Sequence, residues 1–250
     1  DKFKEAGYNG LPTTWEEFIE ASKKAPLNAP KGITVVKGVL YTTDIDHVRM
    51  FDAKTGASKG AVKIPDATFL NDIASTPEGR IFVSDSGLRQ DGEGFASTGT
   101  DAVYEIAGGK AITIVKNKAL QGPNGLLWND GRLLVNTFGG QQLYSINPAL
   151  LSAKGKGKAD AKAKDELAAN ALENVTKLPQ GGLDGLVSTG SALLVSSWGG
   201  KAIYRGALGG VFTVVLENIP AAADIAYDTK RKRLLVPRFM ANTVEAYDLP

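Results

Sequence analysis

Short apolar runs recur along this chain between turn residues, and five times they recur in the same order. A Gly or Asp followed by Ile or Leu opens each copy, and a second strand-like run follows about ten residues later. The copies are Gly32-Ile33 with Leu40 to Asp44, Asp72-Ile73 with Ile81 to Asp85, Gly125-Leu126 with Leu133 to Thr137, Gly185-Leu186 with Leu193 to Ser197, and Asp224-Ile225 with Leu234 to Arg238. Third runs follow at Val48 to Phe51, Val103 to Ile106, Leu143 to Ile146 and Ile203 to Arg205, each stopped by a turn rich in Asp, Asn, Gly or Pro. Fourth runs, such as Ala111 to Val115 and Val211 to Leu216, complete most copies. Four short strands repeated at roughly 40 to 60 residues are the pattern of propeller blades. The chain is therefore expected to be an all-β propeller over residues 29–250, with about five recognisable blades.

The pattern breaks in four places. The connection Gly87 to Gly99 is polar and Gly-rich, and Leu151 to Ala171 is an Ala/Lys-rich insert, read as a solvated excursion. The last copy lacks a fourth strand, and a closed propeller usually completes its final blade with a strand from the other terminus. Residues 1–28 read instead as a short helical segment. Thr14 can cap, Glu17 completes a capping box, and Trp15, Phe18, Ile19 and Ser22 follow at helical spacing.

Composition narrows the chemistry more than the fold. The 250 residues carry 29 basic and 27 acidic side chains, a net charge of +2, which favours neither nucleic acid nor an anionic membrane as partner. No run approaches the ~18 apolar residues of a membrane span. Cysteine is absent, which removes disulfides, thiolate metal sites and Cys nucleophiles and leaves the compartment open. His47 is the single histidine, so no His dyad and no His-based serine triad can be assembled beyond it. Neither a G-x-S-x-G elbow nor a phosphate-binding G-x-x-x-x-G-K-[ST] loop is present. Trp128, Phe138 and Trp198, on or just after strands, are expected to pack between blades, and Asp44 and Asp85 to accept stabilising hydrogen bonds.

What remains is a set of oxygen ligands. Opening loops of propeller blades converge on one mouth of the central channel, and the residues in that slot are Lys31, Asn71, Asn124 and Asp184, with Asp224 in the last copy. Carboxylates and amide carbonyls aimed at one axis suit a hard divalent cation. Asn71, Asn124, Asp184 and Asp224 are the candidate metal ligands, and Asp184 and Asp72 the candidate proton acceptors. The competing reading of Asn124 and Asp184 is a turn residue bonded to its own backbone.

Phe69-Leu70-Asn71-Asp72, Gly122-Pro123-Asn124-Gly125-Leu126 and Gly182-Leu183-Asp184-Gly185-Leu186 resemble the three internal metal motifs of the SMP-30/gluconolactonase/luciferin-regenerating-enzyme family. The resemblance covers about residues 29 to 250. It implies a six-bladed propeller that hydrolyses lactones or related esters with a divalent ion, Ca2+ first and Mg2+, Mn2+ or Zn2+ as alternatives. The ion would lie on Asn124 and Asp184, with Asn71 as ligand or substrate contact and a small molecule at the mouth as partner. The family's fourth ligand, a Glu on the opening strand of the first blade, has no match here, since Glu16, Glu17 and Glu20 fall in the helix-like segment. A non-catalytic ligand- or protein-binding propeller, or an inactive remnant, is the alternative. Gly7 to Phe18 resembles a segment of periplasmic sugar-binding proteins, which together with the lack of cysteine implies a periplasmic or secreted protein.

Overall fold

The computed structural model describes residues 27–92, 94–146 and 172–249. The expected helical segment over residues 1–28 and the 151–171 insert therefore fall almost wholly outside the described residues. Five antiparallel sheets follow one another along the chain in a propeller arrangement. The first holds β1 (Pro30–Val36), β2 (Val39–Asp44), β3 (His47–Asp52) and β4 (Ser58–Lys63). The second holds β5 (Leu70–Ser75), β6 (Ile81–Asp85), β9 (Ala102–Ala107) and β10 (Lys110–Lys116), with a separate hairpin, β7 (Leu88–Asp91) and β8 (Gly94–Ser97), between its second and third strands. The polar connection at Gly87 to Gly99 is thus an ordered hairpin rather than a bare loop.

The third sheet is β11 (Pro123–Asn129), β12 (Arg132–Thr137), β13 (Gln142–Ile146) and β14 (Leu172–Lys177), and the fourth is β15 (Leu183–Ser188), β16 (Leu193–Ser197), β17 (Ala202–Gly206) and β18 (Thr213–Leu216). Among the described residues the fifth has three strands, β19 (Ala226–Asp228), β20 (Arg233–Arg238) and β21 (Thr243–Asp248), in line with the unfinished last copy read from the sequence.

Sheets pack face to face because each strand turns alternate side chains to opposite neighbours. One apolar cluster fills each junction. Val48 meets Ile73 and Tyr104 between the first and second sheets, and Phe82 meets Leu126 and Ile146 between the second and third. Leu143 meets Leu186 and Tyr204 between the third and fourth, and Leu194 meets Ile225 and Val236 between the fourth and fifth. Trp128 stacks on Phe82 across the second junction, ring centroids 6.2 Å apart, as expected of an inter-blade aromatic.

The opening strands β1, β5, β11, β15 and β19 lie side by side in that order. Their pairing shifts register at equivalent places, between Pro30 and Ile33, Leu70 and Ile73, Pro123 and Leu126, and Leu183 and Leu186. The two residues inside each shift form a bulge, which re-aims side chains at a barrel or channel rim. The first bulge position holds Lys31, Asn71, Asn124 and Asp184, and the second Gly32, Asp72, Gly125 and Gly185. In the fifth sheet the pairs Ala222 with Arg238 and Ala226 with Leu235 put Ala223 first and Asp224 second.

Candidate functional site at the channel mouth

A hydrogen-bond relay fixes the bulges against one another. The second strand of each of the first four sheets carries a polar residue that accepts the N–H of the second bulge position in its own sheet and donates to the first-position carbonyl of the next. Thr43 Oγ1 accepts from Gly32 and donates to the Asn71 carbonyl. Ser84 Oγ accepts from Asp72 at 3.0 Å and donates to Asn124 at 2.7 Å. Asn136 takes the Gly125 N–H at 2.9 Å and gives to Asp184 O at 2.6 Å, and Ser196 takes Gly185 and gives to Ala223, both at 2.8 Å. All four side chains are buried. The relay gives the first-position residues one shared backbone orientation relative to their sheets. It went unnoticed in the sequence, although a Thr, Ser or Asn next to last in each of these four strands, after an apolar run, was the available signal.

Glycine at the second position follows from close approach. A Cβ on Gly125 would stand 2.3 Å from the Asp184 carbonyl oxygen, and one on Gly185 would stand 2.2 Å from the Ile225 nitrogen. Asp72 fills this position by reaching into the next sheet: its Oδ2 accepts from the Leu126 N–H at 2.6 Å and its Oδ1 from Ile73 at 2.7 Å. Both oxygens are thereby engaged.

Two of the first-position side chains, Asn71 and Asp184, are held by residues of a second ring, those just after the second strands. Asn71 Nδ2 donates to Ser86 Oγ at 3.0 Å, which leaves its carbonyl oxygen open. Trp198 Nε1 donates to Asp184 Oδ2 at 2.8 Å, which leaves Oδ1. Asn124 is 3 % exposed, and its amide has no hydrogen-bond partner among the described residues. Lys31 turns to the rim, its Nζ 3.9 Å above the Phe69 ring and 3.3 Å from the Ala29 carbonyl. Burial lowers its pKa, opposed by the charges of Asp44 and Asp85.

Three carboxyl groups charge the channel. Burial, then the charge of Asp224, pushes Asp184 up to about 7. Burial and Asp224 raise Asp72 well above the usual carboxylate range, with a smaller contribution from Asp184. Burial brings Asp224 to about 6, held back by the Ile225 N–H. Asp224 is in contact with water, which screens its charge. Among the described residues none of the three forms an ion pair. Nor do three His, Cys, Asp or Glu side chains there gather into a group that would hold a metal. The unengaged donors are instead the Asn124 amide, the Asn71 carbonyl and Asp184 Oδ1. Carboxylate and amide oxygens are the kind of ligand a hard cation takes. Asp224 stands one bulge position later than the other three candidates.

No protein-family profile and no curated protein matches this chain. Solved structures do. A gluconolactonase from Xanthomonas campestris is 20% identical with a TM-score of 0.62, over 88% of this chain and 72% of that one. A chain of a nidogen/laminin complex is 19% identical with a TM-score of 0.61, over 90% and 77%. Virginiamycin B lyase from Staphylococcus aureus is 13% identical with a TM-score of 0.58, over 88% and 70%. At these identities the likeness shows the propeller fold alone.

Beside the acidic channel the second ring supplies an aromatic row. Phe138 meets Trp198 edge to face at 5.7 Å, and Trp198 meets Phe239 at 5.6 Å. Trp198 and Phe138 are thus mouth residues as well as packing ones. A cleft of about 380 Å³ adjoins the row between the second and third sheets, lined by Ser86, Thr98, Asp101, Lys118, Gln121 and Phe138 among others. Asp44 and Asp85 lie outside this centre and do structural work. Asp44 Oδ1 accepts the N–H groups of Asn28 and Ala29, and Asp85 accepts those of Thr68, Phe69 and Gly87.

Proposed function

We propose that this chain hydrolyses lactones or related esters at the channel mouth, with a divalent cation, Ca2+ ahead of Mg2+, Mn2+ or Zn2+, held by Asp184, Asn124 and Asn71. The observation that carries this reading is Asp184: a carboxyl that burial pushes up to about 7, with Oδ2 held by Trp198 and Oδ1 left open, at the same bulge position as Asn71 and Asn124. A general base works best when its pKa lies near the working pH. When bound, the cation would polarise the ester carbonyl. Asp184 Oδ1 takes a proton from the attacking water as its oxygen bonds to the carbonyl carbon. The ring C–O bond then breaks, and the proton passes to the departing alkoxide to leave a hydroxy acid. Asn124 and Asn71 orient the carbonyl, and Phe138, Trp198 and Phe239 flank the mouth as an apolar shelf for the substrate ring. Asp72, with both oxygens on backbone N–H groups, positions the third sheet rather than moving protons.

The test is base uptake during hydrolysis of a panel of sugar lactones and simple esters, after chelation and after adding back each cation. Hydrolysis should need the cation and should fall about 10²-fold or more in Asp184→Asn. Equal rates in Asp184→Asn, or no hydrolysis with any cation, would overturn it. The aromatic row and adjoining cleft favour one second reading, a mouth that binds a ring-bearing ligand without turning it over. Calorimetric binding of an unhydrolysed lactone, unchanged in Asp184→Asn, would select that reading.

A further inference from the structure

The bulge ring holds one residue that the proposed hydrolysis leaves idle. Its first position is Asn71, Asn124 and Asp184 in the second, third and fourth sheets, and Lys31 in the first. Three oxygen-bearing side chains and one ammonium thus share a repeat position. The hydrogen bond from Thr43 Oγ1 to the Asn71 carbonyl ties the bulge of Lys31 to its neighbour.

Lys31 is half-buried and finds little to hold. Its Nζ gives one N–H to the Ala29 carbonyl at 3.3 Å and lies 3.9 Å above the Phe69 ring, which leaves it with donor capacity to spare. Among the described residues no carboxylate pairs with it. The two carboxyls that act on its charge are committed elsewhere. Asp44 takes the N–H groups of Asn28 and Ala29 and the Arg49 Nε at 3.0 Å, and Asp85 takes the N–H groups of Thr68, Phe69 and Gly87. Burial lowers the Lys31 pKa against both of them, so the protein does not replace the water that this ammonium has lost.

The platform beneath the ammonium is braced. Phe69 stands just before β5, and Phe95 of the β7–β8 hairpin meets its ring edge to face at 5.4 Å. Thr68 bonds to Thr98, at the foot of the same hairpin, at 2.8 Å. Among the described residues only the second sheet carries such a hairpin. A partly dehydrated cation on a fixed aromatic face, with N–H groups to give, is suited to receive an anion.

We propose that Lys31 selects lactones or esters that bear an anionic substituent, a carboxylate or a phosphate, which its ammonium holds while the carbonyl lies at Asn71, Asn124 and Asp184. This specificity rests on the hydrolytic reading of the mouth, and it gives the substrate a direction, with its charged end on the first sheet. Asp184 and Asp224 repel an anion, and Lys31 is the one cation at the described bulge positions to draw it in.

The test is a set of matched lactones whose ring substituent is a carboxylate, a phosphate ester or a neutral hydroxymethyl group, with the cation supplied. The parent should favour an anionic member over the neutral one by about tenfold in kcat/KM, through KM, and the two anionic arms show which group it prefers. Lys31→Met should bring that ratio to about one, and Lys31→Arg should keep most of it. A parent without the preference would overturn the proposal. So would a Lys31→Met variant that slows all three lactones alike, since the lysine would then be structural. Calorimetry with tetrahydropyran carboxylate and tetrahydropyran methanol, rings without an ester, reads binding apart from turnover. If no lactone is hydrolysed, tighter binding of the carboxylate that Lys31→Met abolishes would sink the reaction and leave the anion site standing. Equal or absent binding of the two rings would sink the site.

Discussion

The same bulge position holds Asp72 in the second sheet and Asp224 in the fifth, and the two live in different worlds. Asp72 lies in a closed junction, where one oxygen takes the Leu126 N–H of the next sheet. Asp224 lies on the last described sheet, with an N–H from its own neighbour Ile225 and no further sheet packed beyond it among the described residues. One carboxyl is a strut and the other is a charge facing an opening. Position in the repeat thus sets where a side chain sits, while the presence or absence of a following sheet sets what it does. The functional consequence falls on Asp184, whose raised pKa depends on burial and on Asp224.

The largest effect should come from forcing a side chain into a closed junction. Gly185→Ala would place a Cβ 2.2 Å from the Ile225 backbone nitrogen, a contact that only moving two sheets apart can relieve. A loss of about 3 kcal/mol or more in urea unfolding is expected. Asp224→Ala, at the same position beside the opening, should leave stability unchanged or slightly raised, because it removes a like charge next to Asp184. Similar losses in the two variants would erase the distinction between closed and open sides.

The relay gives the next contrast. Ser84→Ala strips the partner from both the Asp72 N–H and the Asn124 carbonyl inside a buried junction, at about 2 kcal/mol. Pro237→Ser restores a hydroxyl at the equivalent place, where no next sheet among the described residues receives it, and should shift stability by about 0.5 kcal/mol or less. A Ser84→Ala variant as stable as the parent would mean that the relay follows from sheet packing instead of enforcing it.

Much of this architecture was legible from the repeats. The five opening runs and the unfinished last copy could be read because strand periodicity and turn residues are local signals. The slot residues Asn71, Asn124 and Asp184 were legible by phase alone, and the register shifts place them equivalently. Phase also assigned Asp224 to the ring, but a bulge counts two residues against one, and a one-residue offset puts Asp224 with Asp72. The Trp198 bond to Asp184 was not legible, since it joins residues from different strands at a bulge. The hairpin at Leu88 to Ser97 escaped because its strands carry charged and polar residues with little burial to create an apolar pattern.

The smallest effect is the one that reads the channel's charge. Asp184 and Asp72 have pKa values raised above their unfolded range near 3.8, so the folded state holds protons that the unfolded state has released. The contribution of Asp184 to stability is complete below that range and is lost as pH rises through about 7, and that of Asp72 has the same sign. Carboxyls with lowered values, such as Asp52, Glu78 and Asp248, lose their contribution only as pH falls through their own lowered range. Between pH 5 and 7.5 the raised groups therefore set the slope, and the chelated chain should melt at higher temperature at pH 5 than at pH 7.5. Asp184→Asn should flatten that slope, and added Ca2+ should stabilise most at the alkaline end, where it no longer competes with a proton. A midpoint that rises with pH in the chelated parent would show that water in the channel screens these carboxyls into ordinary behaviour. Asp184 would then be no base at all, and the open side of the propeller would be the reason.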